Sequence, residues 1–251
     1  MFSDNSQTSC PRMAATQRQR MMNTDTNNRG AMERSKMTLI LGASFLAVVP
    51  VMKRLLGDLR GKRCAFISTA SYAEPYGVAN RAMRYWLRAL GLGVKMIDVS
   101  TAPEAELVNT LEHADLFYVC GGNTFYLLEQ LRHSGADRLI RERVLDGVPY
   151  VGESAGSVIC GPDIGYIGEM DSSSAAPSLF STRGLDLVDC AIVPHVDSKL
   201  LGVNAAVICQ TGAASAMLVP LRNDQAVVVL GDRMHVETHP SVLASLTDRW
   251  F

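Results

Sequence analysis

The stretch VPYVGESAGSVICGP, Val148 to Pro162, decides how the chain is read. An apolar run leads into Gly152-Glu153-Ser154-Ala155-Gly156, and a second apolar run leaves it. This is the G-x-S-x-G pattern in which a serine is held on a tight turn from a strand into a helix. Glycines at both ends let the backbone make the turn and leave room for a substrate beside the hydroxyl. Alone, five residues with three fixed positions are equally an ordinary helix cap, so the weight of the reading falls on what surrounds them.

Upstream, short apolar runs alternate with helical spacing. MTLILGAS, RCAFISTA, VKMIDVS and LFYVCGG read as buried strands, and Leu46 to Leu59, Val78 to Leu90, Pro103 to Ala114 and Thr124 to Leu145 as helices. Strands that are continuously apolar are covered on both faces. The expectation is a doubly wound α/β domain with a mostly parallel sheet and helices on both faces. In such a sheet, ligands gather where strands end and βα turns line a crevice. Two neighbouring turns there carry chemistry: the Ser154 turn, and YVCGGNTF from Tyr118 to Phe125. Gly121 and Gly122 expose backbone N–H groups, Asn123 caps or orients the turn or meets substrate, and Thr124 opens a helix. Without a ligand this is a plain Gly-rich turn, and no G-x-G-x-x-G supports a dinucleotide. Beside a serine elbow, such a donor turn suits an oxyanion hole.

A serine also needs a base. His113 and His133 fall in expected helices, and His235 and His239 lie near the end of the chain. His195 ends the apolar run of DCAIVPHVDS, Asp189 to Ser198, at the rim expected for Ser154. A lone histidine after a strand is usually structural; elbow, donor turn and strand-end histidine together favour catalysis.

CGGNTFYLLEQLR, GESAGSVICGPDI and IVPHVDS, in this order, resemble the peptidase E (aspartyl dipeptidase) family of serine peptidases, related in fold to class I glutamine amidotransferases, over roughly Met37 to Val236. The resemblance implies Ser154 as nucleophile, His195 as general base and the Gly122 and Ala155 amides as oxyanion hole. Its acid is matched in IGEMDSSS by Glu169 or Asp171. A second acid of the family falls in LRNDQAVVV, where Asp224 is near but Asn223 holds the aligned place; Asp197 is a local alternative. Asp171 is the expectation. The implied reaction is acyl transfer to water, with no metal and no cofactor, on small peptides such as dipeptides with an N-terminal aspartate. That aspartate would need a cation in the pocket, and only Lys199 is basic between His195 and Arg222. The alternatives are a non-catalytic binding or regulatory protein of the same fold, and an amidotransferase-like amidohydrolase. The latter would use a cysteine, yet the elbow holds serine and Cys160 lies six residues on.

The rest of the chain narrows the class. With 251 residues, 47% of them hydrophobic, and a net charge of −1, the composition fits one sizeable core and offers no concentrated basic run for nucleic acid. The run Phe45 to Met52 is too short to span a bilayer and contains Pro50. Six scattered cysteines with no C-x-x-C pair fit a reduced, cytoplasmic protein. A monomer or homodimer is the expected assembly. Residues 1–36, rich in Gln, Asn, Thr, Ser and Arg without apolar periodicity, read as a disordered extension or an upstream start codon; the peptidase domain is expected over 37–251.

Overall fold

Leu39, Ile40 and Leu41, three consecutive fully buried side chains in β1 (Thr38–Gly42), show at once why the strands lack alternation: apolar layers lie on both sides of them. The computed structural model describes residues 34–73, 77–212 and 216–239. The expected extension therefore lies, but for its last three residues, outside the described residues.

After β1 come helix α1 (Phe45–Leu56), β2 (Arg63–Ile67), α2 (Gly77–Ala89), β3 (Gly93–Ile97), α3 (Glu104–Glu112) and β4 (Leu116–Val119). Then follow α4 (Thr124–Ser134), α5 (Ala136–Leu145), β5 (Tyr150–Glu153), the short α6 (Ala155–Val158) and β6 (Cys190–Val193). The chain continues with α7 (Gly202–Thr211), β7 (Met217–Pro220), β8 (Gln225–Leu230) and β9 (Arg233–Thr238). The main sheet runs β3-β2-β4-β5-β1-β8-β9. Its first five strands are parallel, β8 adds antiparallel to β1, and β9 adds antiparallel to β8. β6 and β7 form a separate parallel pair. The α/β class is thus as expected, with an antiparallel margin and a small second sheet that the apolar pattern alone did not separate.

Aromatic side chains pack closely beneath the elbow. Phe66 and Tyr118 stack with centroids 5.1 Å apart in the fully buried layer between strands. Tyr150 is buried as well, and its hydroxyl donates to the Gly156 carbonyl at 2.6 Å, tying β5 to the helix it feeds. Burying one such side chain is worth about 2–3 kcal/mol. A methyl on Gly156 would meet the Val119 carbonyl oxygen at 2.3 Å, so α6 lies against β4 only because that position has no side chain.

One helix departs from expectation. Thr124 to Leu145 is two helices, because Gly135 takes φ +73° in the left-handed region, closes α4 and starts α5 in a new direction. The periodicity is continuous across this break, since both helices turn apolar faces to the same core.

Candidate functional site

Tyr150-Val151-Gly152 pair in register with both β4 and β1, so β5 leaves from the middle of the sheet and carries Ser154 out at its carboxyl end. Ser154 has φ 49° and ψ −111°, a conformation that costs a non-glycine residue on the order of 1–3 kcal/mol. The surroundings enforce it. The Gly42 carbonyl at the end of β1 accepts from Ser154 N at 2.9 Å and from Ser157 Oγ at 2.8 Å, pinning both ends of the turn.

His195 comes from the other sheet. It lies two residues beyond β6, with φ +65°, and its Nε2 stands 2.9 Å from Ser154 Oγ. Its Nδ1 stands 2.7 Å from Asn223 Oδ1. With an amide oxygen as acceptor, Nδ1 carries the proton and Nε2 is left to accept from the serine hydroxyl. Asn223 is itself held from two sides. Asp197 Oδ1 accepts from its backbone N–H at 2.8 Å, and Ser44 Oγ donates to its carbonyl at 2.6 Å.

The carboxylates singled out for the acid position are elsewhere. Asp171 Oδ2 accepts from the Thr124 amide at 2.8 Å, at the N-terminus of α4, where a negative charge meets unpaired N–H groups. Asp224 is engaged by the Arg222 guanidinium at 3.1 Å, and Glu169 is exposed. Asp197 reaches His195 only through Asn223. The family resemblance sets Asn223 in the aligned place of a second acid, but the expectation rests on Asp171 because an amide carries no charge, although it can accept the same hydrogen bond.

Beside the serine lies the glycine turn. Gly122 has φ +139°, and a methyl there would fall 2.1 Å from the Ala70 carbonyl oxygen. Asn123 N–H donates to that same carbonyl at 3.1 Å. Gly121 packs against the Ser154 turn, its position for a side chain 3.2 Å from Ser154 Cβ. Asn123, weighed as a substrate contact, is buried: its Oδ1 accepts from Tyr126 N at 2.9 Å as the N-cap of α4, and its Nδ2 donates to Ser172 O at 3.0 Å. Ala155 opens α6 directly after Ser154, so its amide is one of the N–H groups of the first helical turn that have no partner within the helix.

Ser154, His195, Gly121 and Gly122 open on a pocket of about 440 Å³, lined also by Glu153 and Asp171. Burial pushes the Glu153 carboxyl above the usual range, against a hydrogen bond from the Tyr118 hydroxyl at 2.7 Å. Cys160 is buried behind the elbow; burial pushes its thiol up and its Sγ donates to the Gly156 carbonyl, so it does not supply an amidotransferase-type thiolate. Among the described residues, no His, Cys, Asp and Glu group is arranged to hold a metal ion, and no helix is long and apolar enough to cross a membrane.

A serine forced onto a strand-to-helix turn at the centre of a parallel sheet, with an imidazole on its hydroxyl, defines a serine hydrolase of the doubly wound α/β class. Comparison with known proteins narrows this. Residues 37–237 match the model of peptidase family S51, and the chain belongs to that family and is a serine-type peptidase. It is 38% identical over 193 residues to an uncharacterized peptidase of Listeria monocytogenes, covering 77% of this chain and 94% of that one. It is 31% identical over 157 residues to peptidase E of Haemophilus influenzae, covering 62% and 68%. A crystal structure of a Listeria monocytogenes EGD-e protein assigned to peptidase E superposes with a TM-score of 0.76 at 35% identity, covering 81% of this chain and 98% of that chain. The shared architecture is that of the class I glutamine amidotransferase-like fold.

Proposed function

We propose that the protein hydrolyses small peptides through an acyl-enzyme on Ser154, with His195 as general base and Asn223, rather than a carboxylate, orienting the imidazole. The observation that carries this reading is the continuous chain from Ser154 Oγ to His195 Nε2, at 2.9 Å, and from His195 Nδ1 to Asn223 Oδ1, at 2.7 Å.

In the first step Ser154 Oγ bonds to the scissile carbonyl carbon while its proton passes to His195 Nε2. The carbonyl oxygen becomes an oxyanion, received by the amides of Gly122 and Ala155. As the tetrahedral species collapses, the C–N bond breaks and His195 returns the proton to the leaving amine. Water, deprotonated by His195, then attacks the ester and releases the acid and the free serine. Throughout, Nδ1–H stays on Asn223 Oδ1, which fixes the tautomer without adding a negative charge.

Small peptides are the proposed substrate class, supported by family membership and by the pocket's size. Dipeptides with the N-terminal aspartate that the family resemblance implies belong in the library that tests this class. The test is labelling by a fluorophosphonate together with hydrolysis of a dipeptide library. Labelling that Ser154→Ala abolishes, with cleavage of at least one dipeptide, is the expected result. A wild-type protein that neither labels nor cleaves would instead be a binding protein on a peptidase fold.

A further inference from the structure

The following rests on the serine-peptidase reading and deepens it to a kind of substrate. The pocket around Ser154 is lined by two carboxyl groups, Glu153 and Asp171, and by no lysine or arginine among the described residues. Glu153 directly precedes the nucleophile. Its carboxylate accepts from the Tyr118 hydroxyl at 2.7 Å and from the Phe45 backbone N–H, and Met83 lines the pocket next to them. No lysine, arginine or histidine among the described residues forms an ion pair with it. A carboxylate sunk against apolar neighbours calls for a cation, and burial raises the Glu153 carboxyl in the absence of one. Residue 153 as a whole is half-buried, and it is among those that line the pocket.

Substrate geometry supplies the cation. When a peptide's first carbonyl carbon sits on Ser154 Oγ, its α-nitrogen is two bonds from that carbon and falls in the same pocket. A free peptide carries an ammonium there; a blocked one carries a neutral amide. We propose that Glu153 receives the free α-ammonium of the substrate, and that the pocket therefore selects short peptides whose first residue is unblocked and neutral or basic, and works against those that begin with aspartate. A third carboxylate beside Glu153 and Asp171 would be repelled by both. Asp171 contributes as a fixed charge, since the Thr124 amide holds its Oδ2 in place.

The experiment uses the full chain and four substrates: Ala-Leu, Lys-Leu, Asp-Leu and N-acetyl-Ala-Leu, with fluorophosphonate labelling run in parallel. The expected kcat/KM for Ala-Leu and Lys-Leu exceeds that for Asp-Leu and N-acetyl-Ala-Leu by about tenfold or more, the worth of one charge-assisted hydrogen bond. Glu153→Gln should raise KM for Ala-Leu by about tenfold and narrow its advantage over the acetylated peptide. Should that variant not fold, Asp171→Asn keeps the proposal testable, because it should narrow the gap between Ala-Leu and Asp-Leu. A wild-type protein that labels but cleaves Asp-Leu or N-acetyl-Ala-Leu as well as Ala-Leu overturns the proposal and leaves Ser154 as nucleophile. A folded Glu153→Gln with unchanged discrimination overturns the assignment to Glu153. Absence of labelling overturns the serine reading, and this proposal falls with it.

Discussion

Asn223 Oδ1 lies 2.7 Å from His195 Nδ1, in the place where a carboxylate would complete a charged triad. A neutral acceptor fixes the imidazole's direction and tautomer as well as an acid does, but it leaves the imidazolium formed during attack without a counter-charge. A carboxylate stands one step further out, on Asp197, whose Oδ1 holds the Asn223 backbone at 2.8 Å.

Replacing this amide separates orientation from charge. Asn223→Ala removes the acceptor and should lower kcat by about tenfold to a hundredfold with little change in KM. Asn223→Asp keeps the acceptor and adds a charge that favours the imidazolium, so the acidic limb of the kcat/KM profile should move to higher pH. A pH–rate profile of the two variants checks this; an Asn223→Ala enzyme with wild-type kcat would remove Asn223 from the site.

The strain at Ser154 predicts a trade between stability and activity. Glycine adopts φ 49° without the cost a side chain incurs, so Ser154→Gly should unfold at a higher temperature than Ser154→Ala, by about 1–2 kcal/mol in stability. Both should be inactive. Calorimetry on the two variants is the measurement, and equal midpoints would mean that the turn is not strained.

How far these features could be read from sequence depends on the range of the interactions. The α/β class was legible because buried parallel strands leave continuous apolar runs such as Leu39-Ile40-Leu41, and the elbow was legible because its glycines are local necessities of backbone contact. The helix break at Gly135 was hidden, since α4 and α5 turn their apolar faces to one core and keep one period across the glycine. The partner of His195 Nδ1 was visible only through the family resemblance, which set Asn223 in the place of an acid without marking it as the acceptor. It lies 28 residues downstream, on the turn between β7 and β8, and its placement depends on Ser44 and Asp197 gripping its backbone from separate elements. No spacing rule encodes that convergence, and Asp171, in the segment that the family resemblance points to, is drawn instead to the amide of Thr124.

Acid sensitivity should concentrate at the sheet margin. Burial would raise the Glu237 carboxyl on β9, but hydrogen bonds from His235, His239 and Arg54 outweigh it and hold the group at about 2, against an ordinary 4.5. A carboxyl depressed on folding adds stability above its unfolded value and loses it as pH falls through the folded one. Unfolding midpoints should therefore drop between about pH 5 and pH 2, and Glu237→Gln should flatten that slope while lowering the midpoint at neutral pH. An unchanged slope in the variant would assign the acid lability elsewhere.

The two glycines of the donor turn should respond unequally to the same added methyl. At Gly122 the methyl would lie 2.1 Å from the Ala70 carbonyl oxygen, and φ +139° is closed to alanine, so the turn must move. On the proposed mechanism that movement takes the Gly122 amide away from the oxyanion, where one lost donor costs about a hundredfold to a thousandfold in kcat. It also breaks the packing of the turn on the segment that carries Ala70, whose carbonyl holds Asn123 N–H. At Gly121 the methyl meets Ser154 Cβ at 3.2 Å, a contact that a few tenths of an ångström relieve. Gly122→Ala should accordingly lose both activity and several degrees of thermal midpoint, whereas Gly121→Ala should keep its midpoint and lose activity more mildly, through displacement of Ser154. Steady-state kinetics and thermal unfolding on the pair distinguish the two, and a Gly122→Ala enzyme with full turnover would exclude this turn from the oxyanion hole.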